Sequence, residues 1–246
     1  MMNAEFFEAV RPMFGGSLSQ AQVDGCGIIF EAWRKAGSWR SRTHKRSGWH
    51  CSGNERHLAY ILATAYHETA RTMQPVRETL ATTDAKAKER LTKAWKAGNL
   101  PWVKSDYWSG GWFGRGFVQL THRANYVKAG EKLGIDLVVD PSKAMIPEVS
   151  ALILVRGMLE GWFTGMKLSD AADFREARRV VNGTDRASQI AQYADAFLSA
   201  LDAMDDAPTI TVIEPKPSST GWLVLAAVAI AGVVVGAYNW IASLFG

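Results

Sequence analysis

Glu68 closes a stretch in which Leu58, Ile61, Leu62 and Ala65 recur at helical spacing, so it sits at the end of an apolar stripe. Desolvation at such a position penalises the charged form and favours the proton-bearing carboxyl that a general acid needs near neutral pH. A second carboxylate, Glu78, follows ten residues on. One continuous helix would hold the two Cα atoms ~15 Å apart. Pro75 forbids that geometry, because it removes a backbone donor and biases Gln74 away from helix, so the chain turns and can bring Glu78 opposite Glu68. Glycoside hydrolysis needs such a pair, one carboxyl to protonate the leaving oxygen and one carboxylate to activate water or attack carbon, at ~6.5–9.5 Å for inversion and ~5–5.5 Å for retention. The plain alternative is a glutamate that bends out to solvent at a helix end.

His67-Glu68 does not extend to the zinc-hydrolase pattern H-E-x-x-H, since Arg71 stands four residues after His67. His44, His50, His57 and His122 form no i, i+4 pair and no array with cysteines, so no metal and no cofactor is expected. Residues 110–126, GGWFGRGFVQLTHRANY, combine glycines that admit close backbone approach with the uncharged donors and acceptors Gln119, Thr121 and Asn125. Sugars suit that mixture, with Trp108, Trp112 and Tyr126 as stacking faces; the same stretch also fits a glycine-rich turn feeding an ordinary helix. Gln at position 119 breaks G-x-G-x-x-G, so no nucleotide is implied. Asn182-Gly183 reads either as a helix C-cap or as an amide that meets substrate or orients water.

The elements that must position these residues are helices punctuated by Gly, Pro and polar caps. Ser17-Leu-Ser-Gln20 is a capping-box pattern opening a helix towards Trp33, and Ser52-Gly-Asn-Glu55 repeats it before the helix that ends at Glu68. Further helices are expected near 84–97, 121–133, 147–163, 170–181 and 186–204, with Gly98, Gly134 and Gly183 as stops.

The chain of 246 residues, 48% hydrophobic and 21% charged, has ordinary globular composition, which excludes a wholly disordered or fibrous protein. The apolar excess is uneven. Positions 221–245 carry no charge, and a helix of that length, ~37 Å, crosses a ~30 Å bilayer core with some tilt. Trp222, Tyr238 and Trp240 stand where interfacial anchors would, and Gly232 and Gly236 form a GxxxG pattern suited to self-association. Residues 207–220, with three prolines, read as a linker. The organisation is therefore a helical domain at 1–206 with an N-terminal helical segment at 1–50, a linker at 207–220 and a transmembrane helix at 221–245.

Net charge is +4, and Arg34, Lys35, Arg40, Arg42, Lys45 and Arg46 crowd six cations into thirteen positions. That run suits a polyanionic surface or a solvated loop. Cys26 and Cys51 are too few for a disulfide framework, which points to a reducing compartment. The first residues carry Glu5 and Glu8 and lack a basic lead into an apolar run, so no secretory signal is read there.

Taken together, His67-Glu68-Thr69, Glu78, Gly114-Arg115-Gly116-Phe117-Val118-Gln119-Leu120-Thr121 with Asn125-Tyr126, Gly161-Trp162-Phe163-Thr164 and Asn182-Gly183 resemble glycoside hydrolase family 19, the class I chitinase-like enzymes, across roughly residues 20–201. The phage endolysin branch is the closest in look. The resemblance implies a mainly α, lysozyme-like two-lobed fold and cofactor-free, inverting hydrolysis of β-1,4 bonds next to N-acetylated sugars. It assigns Glu68 as general acid and Glu78 as base. Thr121 would hold the water, and His67, Gln119, Asn125, Tyr126 and Asn182 would bind sugar or orient the acids. Only nine residues separate the two acids, cysteines are nearly absent, and Ala124 stands where plant members carry tyrosine. Those departures favour peptidoglycan over chitin as substrate.

The expected partners are thus the wall polysaccharide, a lipid bilayer through 221–245, a holin or other lysis partner, and another copy of the tail helix; no nucleic acid is expected. The expected location is the inner membrane of a host, with the enzyme domain first in the cytoplasm, or a virion. Two other readings use the same residues: a chitinase acting on chitin oligomers, and a non-catalytic, membrane-anchored wall-binding or virion protein that keeps the sugar cleft.

Overall fold

Ser19, not Ser17, opens the first long helix in the computed structural model, which describes residues 2–38 and 52–205. Its hydroxyl accepts from the Gln22 N–H while the Gln22 side chain returns to the Ser19 N–H, a reciprocal box two residues downstream of the predicted one. The helix so started, α2 (Gln20–Trp33), follows the short α1 (Ala4–Val10), which Asn3 caps. Then come α3 (Ser52–Glu68), α4 (Asp84–Lys96), α5 (Arg123–Leu133), α6 (Pro147–Glu160) and α7 (Ala187–Asp205). Ser52 is already helical, so it is not the cap that its sequence pattern suggests.

The two helix stops at Gly134 and Gly161 are left-handed caps, with φ of 68° and 74°. The expected helix at 170–181 is absent as such. Two short 3-10 segments, Leu168–Asp170 and Glu176–Val180, take its place, with Asp173 and Glu176 turned back onto the main chain.

The larger lobe is a helical core. α3 lies against α7, α1 against α7, and α2 against α6. Leu58, Ile61, Leu62 and Ala65, the stripe read from sequence, are all buried in it. Burying each large apolar side chain of this core contributes roughly 1.5–3 kcal/mol, and Gly25 lets α2 close onto the loop after α3, since a Cβ there would stand 1.8 Å from the Met73 carbonyl oxygen. The smaller lobe has its own apolar cluster of Ala81, Ala87, Leu91, Trp108 and Phe113. A two-residue antiparallel ladder belongs to this side, β1 (Val76–Arg77) on β2 (Arg115–Gly116), with Val76 opposite Gly116 and Arg77 opposite Arg115.

Among the described residues no helix is long and apolar enough to cross a membrane. The expected linker and apolar tail, Cys51, and Arg40, Arg42, Lys45 and Arg46 of the basic run lie outside the described residues. Cys26 is a free thiol within α2, and burial pushes its pKa up to about 12.

Candidate functional site

The helix that carries Glu68 ends where its hydrogen-bond pattern gives way to a turn in which Ala70, Arg71 and Met73 take left-handed backbone conformations. Thr69 secures the turn, donating its hydroxyl to the Ala65 carbonyl and accepting from the Met73 N–H. Pro75 closes that turn, which begins earlier than its position predicts, and the chain extends into β1. Glu78 comes next, its N–H bonded to the Gly114 carbonyl at 2.7 Å.

Both carboxylates line one cleft of about 620 Å³. Gln119, Thr121, Asn125 and Asn182 line it as well, together with the aromatic residues Trp102, Tyr107 and Phe163. Trp102 is 73% exposed, an apolar face presented at the cleft. Phe163 is set by α6: a Cβ on Gly157 would stand 2.2 Å from its ring.

Each acid is held differently. Glu68 Oε1 accepts from Arg178 Nη1 at 2.8 Å, and the Arg178 side chain is only 5% exposed against 19% for Glu68. Arg178 is itself fixed, its Nε donating to the Asp185 carbonyl, while Thr164 ties its neighbours by bonding the Arg179 and Val180 carbonyls. The sequence places Glu68 at the end of an apolar stripe, where desolvation would act on it alone; in the structure a buried guanidinium meets it. Oε2 has no protein partner among the described residues. The Tyr60 hydroxyl is buried near this pair without a hydrogen-bond partner among the described residues, and burial raises its pKa well above the usual value.

Glu78 is held by two neutral donors. The Tyr107 hydroxyl donates to Oε1 at 2.6 Å and the Gly114 N–H donates to Oε2 at 2.7 Å. Burial, and then the bond to Glu78, hold the Tyr107 pKa well above its ordinary value. Gly114 lets the Gln119 side chain lie close against this turn, since a Cβ there would stand 2.7 Å from its side-chain oxygen. The glycines that sequence assigns to ligand approach therefore serve the carboxylate and the core. Gly116, at φ 86°, brings β2 against Ser150, whose hydroxyl accepts from the Phe117 N–H.

A polar network fastens the ladder behind Glu78. Arg115, 2% exposed, bonds Asp84 at 2.8 Å, the Tyr126 hydroxyl at 2.9 Å and the Gly111 carbonyl at 2.7 Å, and Arg77 takes the other Asp84 oxygen. Burial alone would push the Asp84 carboxyl up, but hydrogen bonds from Arg115 and Arg77 hold it below the usual range.

Several expected sugar contacts move accordingly. Tyr126 is buried, with its hydroxyl shared between Arg115 and the Phe113 carbonyl and its pKa pushed by burial to about 12, so it braces the small lobe from behind and is not among the residues that line the cleft. Trp108 is likewise interior, its indole N–H bonded to Thr92, and Trp112 packs edge-on against Tyr126. His67 does not line the cleft; it lies half-buried beside Tyr193, where burial lowers its pKa. Gln119 donates its amide to the Val76 and Gly116 carbonyls, Thr121 its hydroxyl to the Gln119 carbonyl, and Asn125 its amide to the Thr121 carbonyl. These three stiffen the cleft wall as well as line it. Sequence reasoning missed Tyr107, Trp102 and Arg178; only their residue types, aromatic or cationic near polar motifs, pointed to them.

Backbone strain concentrates here. Thr79, Leu80, Gln119 and His122 all adopt positive φ without being glycine. Among the described residues no group of His, Cys, Asp or Glu side chains is arranged to hold a metal.

No protein-family model matches the chain, and no curated protein matches it. Solved structures do. Chitinase C from Streptomyces griseus HUT6037 is similar at 21% identity with a TM-score of 0.50, over 82% of this chain and 75% of that one. A bacterial family 19 chitinase described as differing from the plant enzymes is similar at 20% identity and TM-score 0.50, over 82% of this chain and 93% of that one. A chitinase C mutant aligns equally well, at 20% identity and TM-score 0.50, covering 78% of its own length. The chain thus has the mainly helical fold of family 19 chitinases.

Proposed function

We propose that the chain is a glycoside hydrolase that cleaves β-1,4 bonds between N-acetylated sugars by single displacement with inversion, and that its polymer is peptidoglycan. One observation carries the reading: Glu68 and Glu78 arrive from opposite sides of the Pro75 turn and line the same cleft. The likeness to solved chitinases supports the reaction class.

In this reading the Glu68 proton passes to the glycosidic oxygen as the C1–O bond breaks, and Arg178 on Oε1 holds the carboxylate left behind. Tyr107 and Gly114 fix the Glu78 carboxylate so that a remaining lone pair faces a water in the cleft. That water attacks C1 from the face opposite the leaving group and gives its proton to Glu78, so the new hemiacetal has inverted configuration. Solvent then returns a proton to Glu68 and removes one from Glu78. Trp102 offers a stacking face, and Asn182 and Thr121 offer hydrogen bonds to hydroxyl and N-acetyl groups.

The apolar run at 221–245 would hold this domain at a membrane, with access to the wall opened by a lysis partner or by delivery from a virion; the support is the sequence alone. Incubation of the full-length protein with peptidoglycan and with chitin oligomers, followed by mass spectrometry of new reducing ends, tests the function. New ends from peptidoglycan that vanish with Glu68→Gln are expected. New ends from chitin alone would make it a chitinase, and none from either polymer would favour the non-catalytic wall-binding reading.

A further inference from the structure

A second concavity, of about 730 Å³, is lined by Arg175, Arg179, Thr184, Arg186 and Ser188. Two acids also border it, Asp173 accepting from the Glu176 N–H and Glu176 from the Ala172 N–H, each at 2.8 Å; they keep their charge, so the three arginines of the lining exceed its acids by one. Arg175 and Arg179 are exposed and make no ion pair among the described residues. Among the described residues Arg186 approaches only Asp185, at 3.9 Å, and both are open to solvent. Such an exposed contact contributes little and leaves the guanidinium available. The 19-residue helix α7 begins at this concavity with no acid in its first turn, so its dipole adds to the same positive field. Planar guanidinium groups in this number match carboxylate or phosphate oxygens two at a time.

The basic concavity and the carboxylate cleft share a wall. Arg179 and Thr184 line the first, while Val181 and Asn182, between them in the chain, line the second. At 3.8 Å per Cα step, Asn182 lies within ~11 Å of Arg179 and ~8 Å of Thr184. The Arg186 and Arg178 charges both act on His67, the residue before Glu68, which sets the basic group close to the acid end of the cleft.

We propose that this concavity receives the carboxylates of a short acidic peptide carried by a sugar in the cleft, so that the preferred substrate is a peptide-substituted glycan. An extended peptide of three residues spans ~10 Å, comparable to the greatest separation that the chain allows between Asn182 and Arg179. A neutral homopolymer of N-acetylated sugars offers nothing for three guanidinium groups. A phosphodiester polymer of the wall has similar anion chemistry, so the experiment separates the two sources. The inference rests on the reading of the cleft as glycan-cleaving.

The test compares the full-length protein, in detergent, with its R175Q/R179Q/R186Q variant. Its substrates are peptide-bearing glycan strands with their phosphodiester polymers stripped or left in place, the stripped strands after enzymatic removal of the peptides, and chitin oligomers. On peptide-bearing strands the variant should show KM raised about tenfold with kcat unchanged, equivalent to about 1.4 kcal/mol of binding; on the other two substrates the proteins should match. Equal KM on peptide-bearing strands, an equal loss on bare strands, or a loss seen only when phosphodiester polymers are left in place would each overturn the proposal. Co-sedimentation with the two kinds of strand reads the same contact without turnover. If the wild type cleaves nothing, a sedimentation loss confined to peptide-bearing strands upholds the anion pocket while the glycosidase reading falls, and equal sedimentation removes both.

Discussion

Glu68 and Glu78 reach one cleft from two differently built regions. Glu68 ends a 17-residue helix whose apolar stripe is locked into the large helical core, and its partner among the described residues is a buried cation. Glu78 follows a two-residue strand beside a five-residue apolar cluster, and its place depends on Tyr107, Gly114 and the Asp84–Arg115–Tyr126 network. Burial therefore positions the acid, whereas hydrogen bonds position the base. Packing tolerates little adjustment, and a polar network fails as a unit when one member is removed.

The largest effect expected from this contrast is on chemistry alone. Glu68→Gln and Glu78→Gln should each lower kcat by about 10³-fold with the thermal midpoint nearly unchanged, since each keeps the shape of its side chain. Steady-state kinetics beside calorimetry reads both quantities, and a variant that retains a tenth of the activity would break the pairing.

Next in size are the two buried arginines. Arg115→Met removes the centre of the small-lobe network and should cost about 2–4 kcal/mol in denaturant unfolding, the low end reflecting the solvent that reaches Asp84. Activity should fall with it, because the ladder before Glu78 loses its brace. Arg178→Met should cost a similar amount and lower kcat, with the Glu78 side undisturbed. If Arg115→Met left stability and activity intact, hydrogen bonding would not be what holds the base.

Tyr107→Phe sharpens the comparison further. It deletes one of two donors to Glu78, so kcat should fall about tenfold while KM and unfolding change little. The hydroxyl acts through Glu78, and a change in KM alone would assign Tyr107 to sugar binding instead.

The smallest expected effect is on pH. Burial holds the His67 and His57 pKa values below their ordinary level, with the neighbouring cations Arg178 and Arg186, and Arg56, acting the same way. Each histidine then binds its proton more readily unfolded than folded. Their contribution is complete above about pH 6.5, the unfolded value, and declines as pH falls from there towards the lower folded values. Thermal unfolding between pH 8 and 5 should show that loss, reduced in a His57→Gln, His67→Gln protein.

Local signals were legible in the sequence and long-range pairing was not. The Glu68 stripe, a turn between the two acids and the glycine cap at Gly134 all rest on residues within a few positions, and the structure has each of them, although the turn falls at residues 69–73, ahead of Pro75, and the helix expected to reach 163 stops at Gly161. Nothing local links Glu68 to Arg178, 110 residues away, or Glu78 to Tyr107, 29 away. The aromatic residues show the same limit. Trp108, Trp112 and Tyr126 have the composition of a sugar platform, but Arg115 needs an apolar and hydrogen-bonded housing, and Tyr126 supplies it from the interior. The segment at 170–181 has helical composition, yet Asp173 and Glu176 bond their own backbone and break it into tight turns, which is what delivers Arg178 to Glu68.

The anomeric form of the first product tests the central claim most directly. Proton NMR during cleavage of a glycan strand by the full-length protein should show the α anomer appearing first and mutarotating to the equilibrium mixture, as required when Glu78 directs a water at C1 opposite the leaving group. A β anomer appearing first would mean that configuration is retained, and would contradict a water-activating role for Glu78.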